Sequence, residues 1–492
     1  MCDHACVLAR GRLTALRYVG LAGSVALTLG AFQVGARPGR AEADGLPGLA
    51  QTPAVLIFVA GLVTLTAAWW RIGVITAPPG GATLTGRWML VTAGLWALPL
   101  LAAPPLASRD VYAYACQGAV FAAGLDPTAV APDALPCPWL DSAPMVWRDA
   151  PSPYGPLFTL LSAGAAVVSG GNIAVAIGVL RLVALAGVLL ATWCGRRLAQ
   201  ACGANAARAA WLGLAGPLVA MHAIAGAHND ALLTGLVVAA LALAIARRGT
   251  VAGVLLGLAA AVKITALAAL PFVVLLLVPA PRAWRRLLRP GAVVVSTTAL
   301  TYAALAVPTG LGLGFLRGLV RAGELIQWTS IPTAVGMSVG YALRAAGVDA
   351  YDIGVAVGRL AGLAFAIVAV VGTWLMAWRA PSDRIRLAVA GAGVAFAVVA
   401  LFGPVFYPWY ALTPLALLAV STVDEKVRPW LAAASAVLAF LILPDGTGLA
   451  PRTKLVGALA VTTAVVAVAV RCALRRSRAT RHPPTRSTAT GS

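Results

Sequence analysis

Ser108-Arg109-Asp110-Val111-Tyr112-Ala113-Tyr114 follows directly on an apolar run from about Trp88 to Leu106 and opens the longest polar interval in the chain, Ser108 to Pro156. A carboxylate just past the end of such a run sits at a bilayer surface. Ionisable groups at membrane boundaries are costly to bury and are functional suspects by default, so Asp110 is read as a base at that surface. A plainer reading stands beside it. Arg109 and Asp110 also make a helix-end ion pair, and Asp is a good N-cap for the helix-like run that follows.

The 492 residues are 60% hydrophobic and only 11% charged, with a mean hydropathy of +0.89, which excludes a soluble domain of this length. Apolar windows long enough for spanning helices recur along nearly the whole chain. They are continuous and rich in Leu, Ala and Val, without the alternation of a lipid-facing strand, which excludes a β-barrel. The fold class is therefore all-α, a polytopic transmembrane bundle. The net charge of +21 reflects topology rather than nucleic-acid binding, for which no module is present. Basic residues gather in short connections and in the tail (Arg471, Arg475, Arg476, Arg478, Arg481, Arg486), where they favour the cytoplasmic face and its anionic lipids. The seven cysteines show no metal-site spacing. Cys116 and Cys137 both lie in the polar interval and form a disulfide if it faces an oxidising compartment.

With the N-terminus inside, the run Leu13 to Val34 is an uncleaved anchor, and Glu42 and Asp44 mark the first outer loop. Spans near 54–76 and 88–106 then deliver Asp110 to the outer face. Val111 to Gly124 has helical spacing and is expected as a short helix along the interface. Leu157 to Ser169 is expected as a partly inserted segment. Spans follow at 173–194, 209–224 and 231–246, the last ending at Arg247-Arg248. Val251 to Val278 is too long for one crossing, and two half-length crossings meeting at Lys263 resolve it, with inner charges Arg248, Arg282, Arg285, Arg286 and Arg289 on either side. Beyond span 291–307 the segment 333–346 is a second ambiguous crossing. Spans near 354–378 and 387–402 and three more, with Asp424-Glu425-Lys426 inside, complete a count of about 14, with both ends inside. The domain reading is a membrane unit over 1–474, its outer loop at 107–156, and a disordered basic cytoplasmic tail over 475–492.

On this topology the outer surface collects Asp110, Arg148, Asp149, Tyr154, His228, Asn229, Asp230, Lys263, Trp328 and the turn Tyr407-Pro408-Trp409-Tyr410, while the inner surface holds little but arginine. Such a division implies chemistry or binding outside. An ion-coupled transporter would instead hold its carboxylates near the midplane on broken helices.

The motifs Asp110-Val111-Tyr112-Ala113-Tyr114, Gln117-Gly118, Gly124-Leu125-Asp126-Pro127, Trp147 through Leu157, His228-Asn229-Asp230-Ala231-Leu232 and Ala261-Val262-Lys263 closely resemble the actinobacterial polyprenol-phosphomannose-dependent α-1,6-mannosyltransferases, of the GT-C class of membrane glycosyltransferases. The resemblance runs from the first span to the Pro408-Trp409-Tyr410 turn. It implies a GT-C-like multi-span fold and an acidic base in an early extracytoplasmic loop, here Asp110. It also implies a polyprenyl phosphomannose donor, a lipid-linked mannan acceptor, and no metal or other cofactor. The sequence departs from the family pattern at Cys116, where a small residue is usual, and at Thr128, where an aromatic often follows Asp-Pro.

In that family the anomeric centre inverts, which needs one base and no carboxylate nucleophile. Lys263, Arg109 and Arg148, in that order, are candidates to stabilise the leaving phosphate, Lys263 having a snorkelling lysine as its plainer reading. Tyr112, Tyr154, His228, Asn229 and Asp230 are candidates for substrate contact, with capping of the next helix the alternative for Asn229. Trp328, Tyr407, Trp409 and Tyr410 are candidates for stacking on sugar or lining the lipid path, with an interfacial aromatic belt the alternative. His222 is expected as a core histidine. The rival functions are a GT-C transferase of another lipid-linked sugar, such as arabinose, and a polyprenyl-linked glycan flippase.

Overall fold

The computed structural model describes residues 2–39, 51–77, 84–279, 283–380, 382–422, 424 and 426–481. Glu42, Asp44, Arg282, Glu425, Arg486 and the tail beyond Arg481 lie outside them. Among the described residues regular structure is helical, with one isolated bridge, Ile442 to Gly448. In chain order the helices are α1 Cys2–Val34, α2 Thr52–Thr76, α3 Gly86–Ala102, α4 Asp110–Ala122, α5 Met145–Arg148, α6 Pro156–Ser169, α7 Ile173–Ala201, α8 Ala206–Gly213, α9 Asp230–Ile245, α10 Gly249–Val262, α11 Leu270–Leu276 and α12 Leu288–Thr309. They continue with α13 Phe315–Glu324, α14 Ile331–Ala345, α15 Tyr351–Arg379, α16 Arg384–Phe402, α17 Leu412–Ser421, α18 Arg428–Ala439 and α19 Lys454–Arg481. Helix α19 runs past the expected domain boundary at 474.

Two compact units divide the chain: residues 1–325, 366–400 and 407–449 form the first, and 326–365, 401–406 and 450–492 the second. In the second, α14 packs on α19, and the backbones of α14 and α15 meet at Gly336 and Gly354.

Among the described residues, seven helices are long and apolar enough to cross a membrane, or eight if the bent pair Val219–Ala225 and Asp230–Ile245 counts as one span. The hydropathy pattern of the sequence predicts about 14. The difference lies largely in short apolar helices, among them α3, α6 and α10, which at 17, 14 and 14 residues fall below the ~20 that a hydrocarbon core demands. The expected span 209–224 is instead α8, an irregular step and a π-helical turn, Val219–Ala225, set at 105° to α9. Leu182, Leu300 and Val368 are 65%, 68% and 69% exposed, so the long helices turn apolar side chains outward, as a lipid-facing surface must.

Helix α4 starts and stops within two residues of expectation, but its placement is different. It is buried along most of its length against α6 instead of lying on the surface. Gly118 permits this, since a Cβ there would sit 2.2 Å from the carbonyl oxygen of Ser162. At the crossing of α7 and α9 the same device is used twice: a Cβ on Gly187 would lie 2.3 Å from the Ala231 carbonyl oxygen, and one on Gly235 2.4 Å from that of Gly187. Small residues let helix backbones approach where lipid supplies no hydrophobic drive. Helices α2 and α8 are joined by Trp69 and Trp211, each indole donating to the other's backbone carbonyl at 2.8 Å with the rings stacked 4.8 Å apart.

Substituting Gly235→Val should force α7 and α9 apart and destabilise the protein by roughly 1–3 kcal/mol. The check is thermal unfolding of the detergent-purified variant, which should melt several degrees below the parent protein.

Candidate active site

The segment that carries Asp110 begins with a backbone constraint. Ala107 has φ 52°, and Ala227, just before His228, has φ 54°. Left-handed backbone at a residue with a Cβ costs on the order of 1 kcal/mol and persists where the surroundings over-determine it, often beside functional groups. After Ala107, the Ser108 hydroxyl accepts from the Asp110 N–H at 3.0 Å and starts α4. Asp110 thus needs no capping role, and its carboxylate is left in the interior at 5% exposure.

The π-helical turn brings the second element. Its wide backbone closes Gly226 N–H onto the Met221 carbonyl and His228 N–H onto that of His222, a geometry common at functional sites. Arg181 on α7 holds this turn, donating to the carbonyls of Ala225 at 3.1 Å and Leu101 at 2.7 Å. His228 is thereby presented to α4: its Nδ1 lies 3.7 Å from Asp110 Oδ2 and 3.3 Å from the Tyr114 hydroxyl. Burial, the neighbouring Tyr154 and the Asp110 carboxylate push the Tyr114 phenol well above its usual pKa. Burial and Asp110 do the same to Tyr154. Both tyrosines stay protonated at ordinary pH and can donate.

The third element is the interruption at Lys263. Helix α10 ends at Val262, Lys263 is extended (φ −155°, ψ 125°), and a 3-10 turn, Ile264–Ala269, leads to α11. The break expected there is present. Lys263 Nζ lies 3.0 Å from both carboxylate oxygens of Asp230, the first residue of α9, and 4.0 Å from the Tyr410 ring centroid. Tyr114, Tyr154 and Tyr410 all lie in the field of both Asp110 and Asp230, which makes one cluster of the two acids. Trp409 stacks on His228 at 3.8 Å and on Tyr407 at 4.8 Å, forming a wall of the cluster.

Asp110, Tyr154, His228, Asp230, Lys263, Tyr407, Trp409 and Tyr410 are therefore brought together. Tyr112 is turned away, its hydroxyl donating to the Ala36 carbonyl at 2.5 Å. Arg109 is buried and donates to the Ser142 carbonyl. Arg148 serves its own loop, donating to the carbonyls of Ala143 and Asp141. Trp328 belongs to the second unit, where its indole donates to Thr453 Oγ1 at 3.0 Å. The Asn229 side chain caps nothing: it is 1% exposed, and neither its oxygen nor its nitrogen has a hydrogen-bond partner among the described residues. His222 is buried behind His228, with ring centroids 5.8 Å apart.

Two contributors escaped the sequence reading. Tyr114 follows Asp110 by four residues, so both share a helix face. Arg181 is a lone cation inside an apolar run, a signal the sequence did hold. Cys116 and Cys137 are disulfide-bonded, with Cα atoms 5.6 Å apart, which ties the loop after α4 back to that helix. Among the described residues no group of three or more metal-ligating side chains occurs.

Over residues 17–279 the chain matches the family model described as Alpha-(1->6)-mannopyranosyltransferase, N-terminal domain, and over 332–472 that described as MptB C-terminal domain. It is 33% identical over 396 residues to alpha-(1->6)-mannopyranosyltransferase A of Mycobacterium tuberculosis, covering 79% of this chain and 75% of the relative. It is 32% identical over 405 residues to a probable alpha-(1->6)-mannopyranosyltransferase of Mycolicibacterium smegmatis (73% and 71% covered). Alpha-(1->6)-mannopyranosyltransferase B of Corynebacterium glutamicum is 29% identical over 368 residues (67% and 60%). No solved structure matches.

Removing one partner of a buried ion pair leaves the other charge uncompensated, so Lys263→Met should cost roughly 3–5 kcal/mol, much of it recovered when Asp230→Asn is added. A double-mutant cycle read by thermal unfolding measures this. Reduction of the bridge should also lower stability, by roughly 3 kcal/mol for its 21-residue separation. Melting curves with and without a phosphine reductant provide that comparison.

Proposed function

The chain belongs to the alpha-(1->6)-mannopyranosyltransferase family and is a glycosyltransferase, and from that premise we propose that it moves mannose from polyprenyl phosphomannose to the 6-hydroxyl of an α-mannan acceptor. The reaction takes place at the outer face of the cytoplasmic membrane, in elongation of a lipid-linked cell-envelope mannan, on a GT-C-like scaffold. The observation that carries the reading is the buried carboxylate of Asp110, held 3.7 Å from His228 in a cluster that also contains Lys263.

Asp110 takes the proton of the acceptor 6-OH as its oxygen bonds to C1 of the donor mannose. The C1–O bond to phosphate breaks on the opposite side, and its electron pair leaves with polyprenyl phosphate. One displacement turns a β donor linkage into an α product, and one base suffices for it. Lys263 supplies the cation for the leaving phosphate, which shares the ammonium with Asp230, and in a dry site such a fixed charge acts strongly. The protonated Tyr114 and Tyr154 donate to ligand oxygens. Asn229 and the Nε2 of His228 offer sugar hydroxyls the hydrogen-bonding capacity left open among the described residues.

Three observations support the outer orientation. The disulfide needs an oxidising compartment. Arginines crowd the other end of the unit, as Arg196 and Arg197 on α7 and Arg247 and Arg248 after α9 do. Helix α9 has 16 residues, ~24 Å of axis against a core of ~30 Å, so it carries Asp230 past the midplane, into the half away from Arg247. The broken helices around Asp230 and Lys263 also resemble transporter architecture, but the family performs sugar transfer.

Asp110→Asn should lower transfer from synthetic polyprenyl phosphomannose to a short α-mannoside by at least roughly 100-fold while donor binding persists. Linkage analysis of the product identifies the bond formed, and a pentose-lipid donor run in parallel tests the arabinose alternative. Near-normal transfer by the variant would remove Asp110 from its role.

A further inference from the structure

A cavity of about 1150 Å³ lies along α7, α8 and α17, away from Asp110 and His228, and none of the chemistry above uses it. Its lining changes character along its length. At one end stand three exposed cations, Arg87 at the start of α3 and Arg196 and Arg197 near the end of α7. Among the described residues none of the three makes an ion pair with an acid. Away from them the wall is apolar and made of small and branched side chains, reaching Ala231 and Thr234 in the first turn and a half of α9. The exposed Trp193, also lining the cavity, sits one turn from Arg197 at the depth where an indole marks a membrane interface.

Length decides what fits. From Val188 to Arg197, both in the lining, α7 rises ~14 Å, which is one leaflet of a ~30 Å hydrocarbon core. A long polyprenyl chain exceeds this, whereas the acyl chain of a glycerophospholipid matches it. The arginines would neutralise a phosphate at the mouth, each basic residue near an anionic surface contributing on the order of 1 kcal/mol. We infer that this groove is a binding site for an anionic glycerophospholipid from the leaflet on the arginine side, its headgroup on Arg87, Arg196 and Arg197 and one acyl chain between α7, α8 and α17. The bound chain ends beneath the first turn of α9 and supports the helix that begins with Asp230.

The test uses the full chain in nanodiscs with a phosphatidylglycerol that carries a diazirine on its acyl chain. Photolabelling should fall on peptides from 188–200 and 209–214. The triple variant Arg87→Gln, Arg196→Gln, Arg197→Gln should lose labelling by roughly tenfold or more, while the matching triple Lys variant retains it. Ala191→Phe, which fills the groove, should also lose it, with thermal unfolding reporting that the fold persists. A phosphatidylcholine analogue should label weakly. Equal labelling by that analogue, or labelling unchanged in the triple Gln variant, overturns the inference. Competition by polyprenyl phosphomannose overturns it too, because the groove would then belong to the donor's tail. The result stands or falls independently of the transfer assay.

Discussion

Lys263 and Asp230 depend on each other, and most of the site depends on them. Moving either charge out of water costs several kcal/mol, and only close, hydrogen-bonded pairing offsets that. With Nζ at 3.0 Å from both carboxylate oxygens and the Tyr410 face 4.0 Å away, the pair meets the condition. Each residue also stands at an interruption, Lys263 between α10 and a 3-10 turn and Asp230 after the bend into α9. Charge pairing therefore holds two helix breaks in register, and the breaks hold the charges where an apolar helix would have excluded them.

Around that pair the remaining polar groups are positioned by backbone more than by side-chain partners. Left-handed Ala107 and Ala227 aim the segments bearing Asp110 and His228. Arg181 ties the turn at Ala225 to the end of α3 through two carbonyls. The small residues at Gly118, Gly187 and Gly235 let α4, α6, α7 and α9 come close enough for groups on different helices to face one another. The stack of Tyr407, Trp409 and His228 then closes one side.

Composition and the long apolar runs made the helical membrane character legible, and the short motifs marked most of the cluster. The break at Lys263 was readable because a lysine at the centre of an overlong apolar run has no other comfortable place. The span count was not readable, because hydropathy does not distinguish a 14-residue helix buried in protein from part of a full crossing. Helix α4 shows the same limit. Its aromatic, mixed pattern fits an interfacial helix equally well, and only the contact that Gly118 allows with α6 puts it inside. Arg148 and Tyr112 carried the right chemistry for substrate contact, yet nearby backbone carbonyls took their hydrogen bonds. Such competition is decided by loop geometry, which short motifs do not encode.

The bridge between Cys116 and Cys137 has one more consequence, concerning how the molecule is made. Every other contact around α4 forms by burial or hydrogen bonding and needs nothing beyond the chain and its solvent. This one removes two electrons and two protons, so an acceptor for them must be present where the loop matures. Assembly of that region therefore includes one chemical step, whose pace depends on the supply of oxidant as well as on how quickly the helices pack.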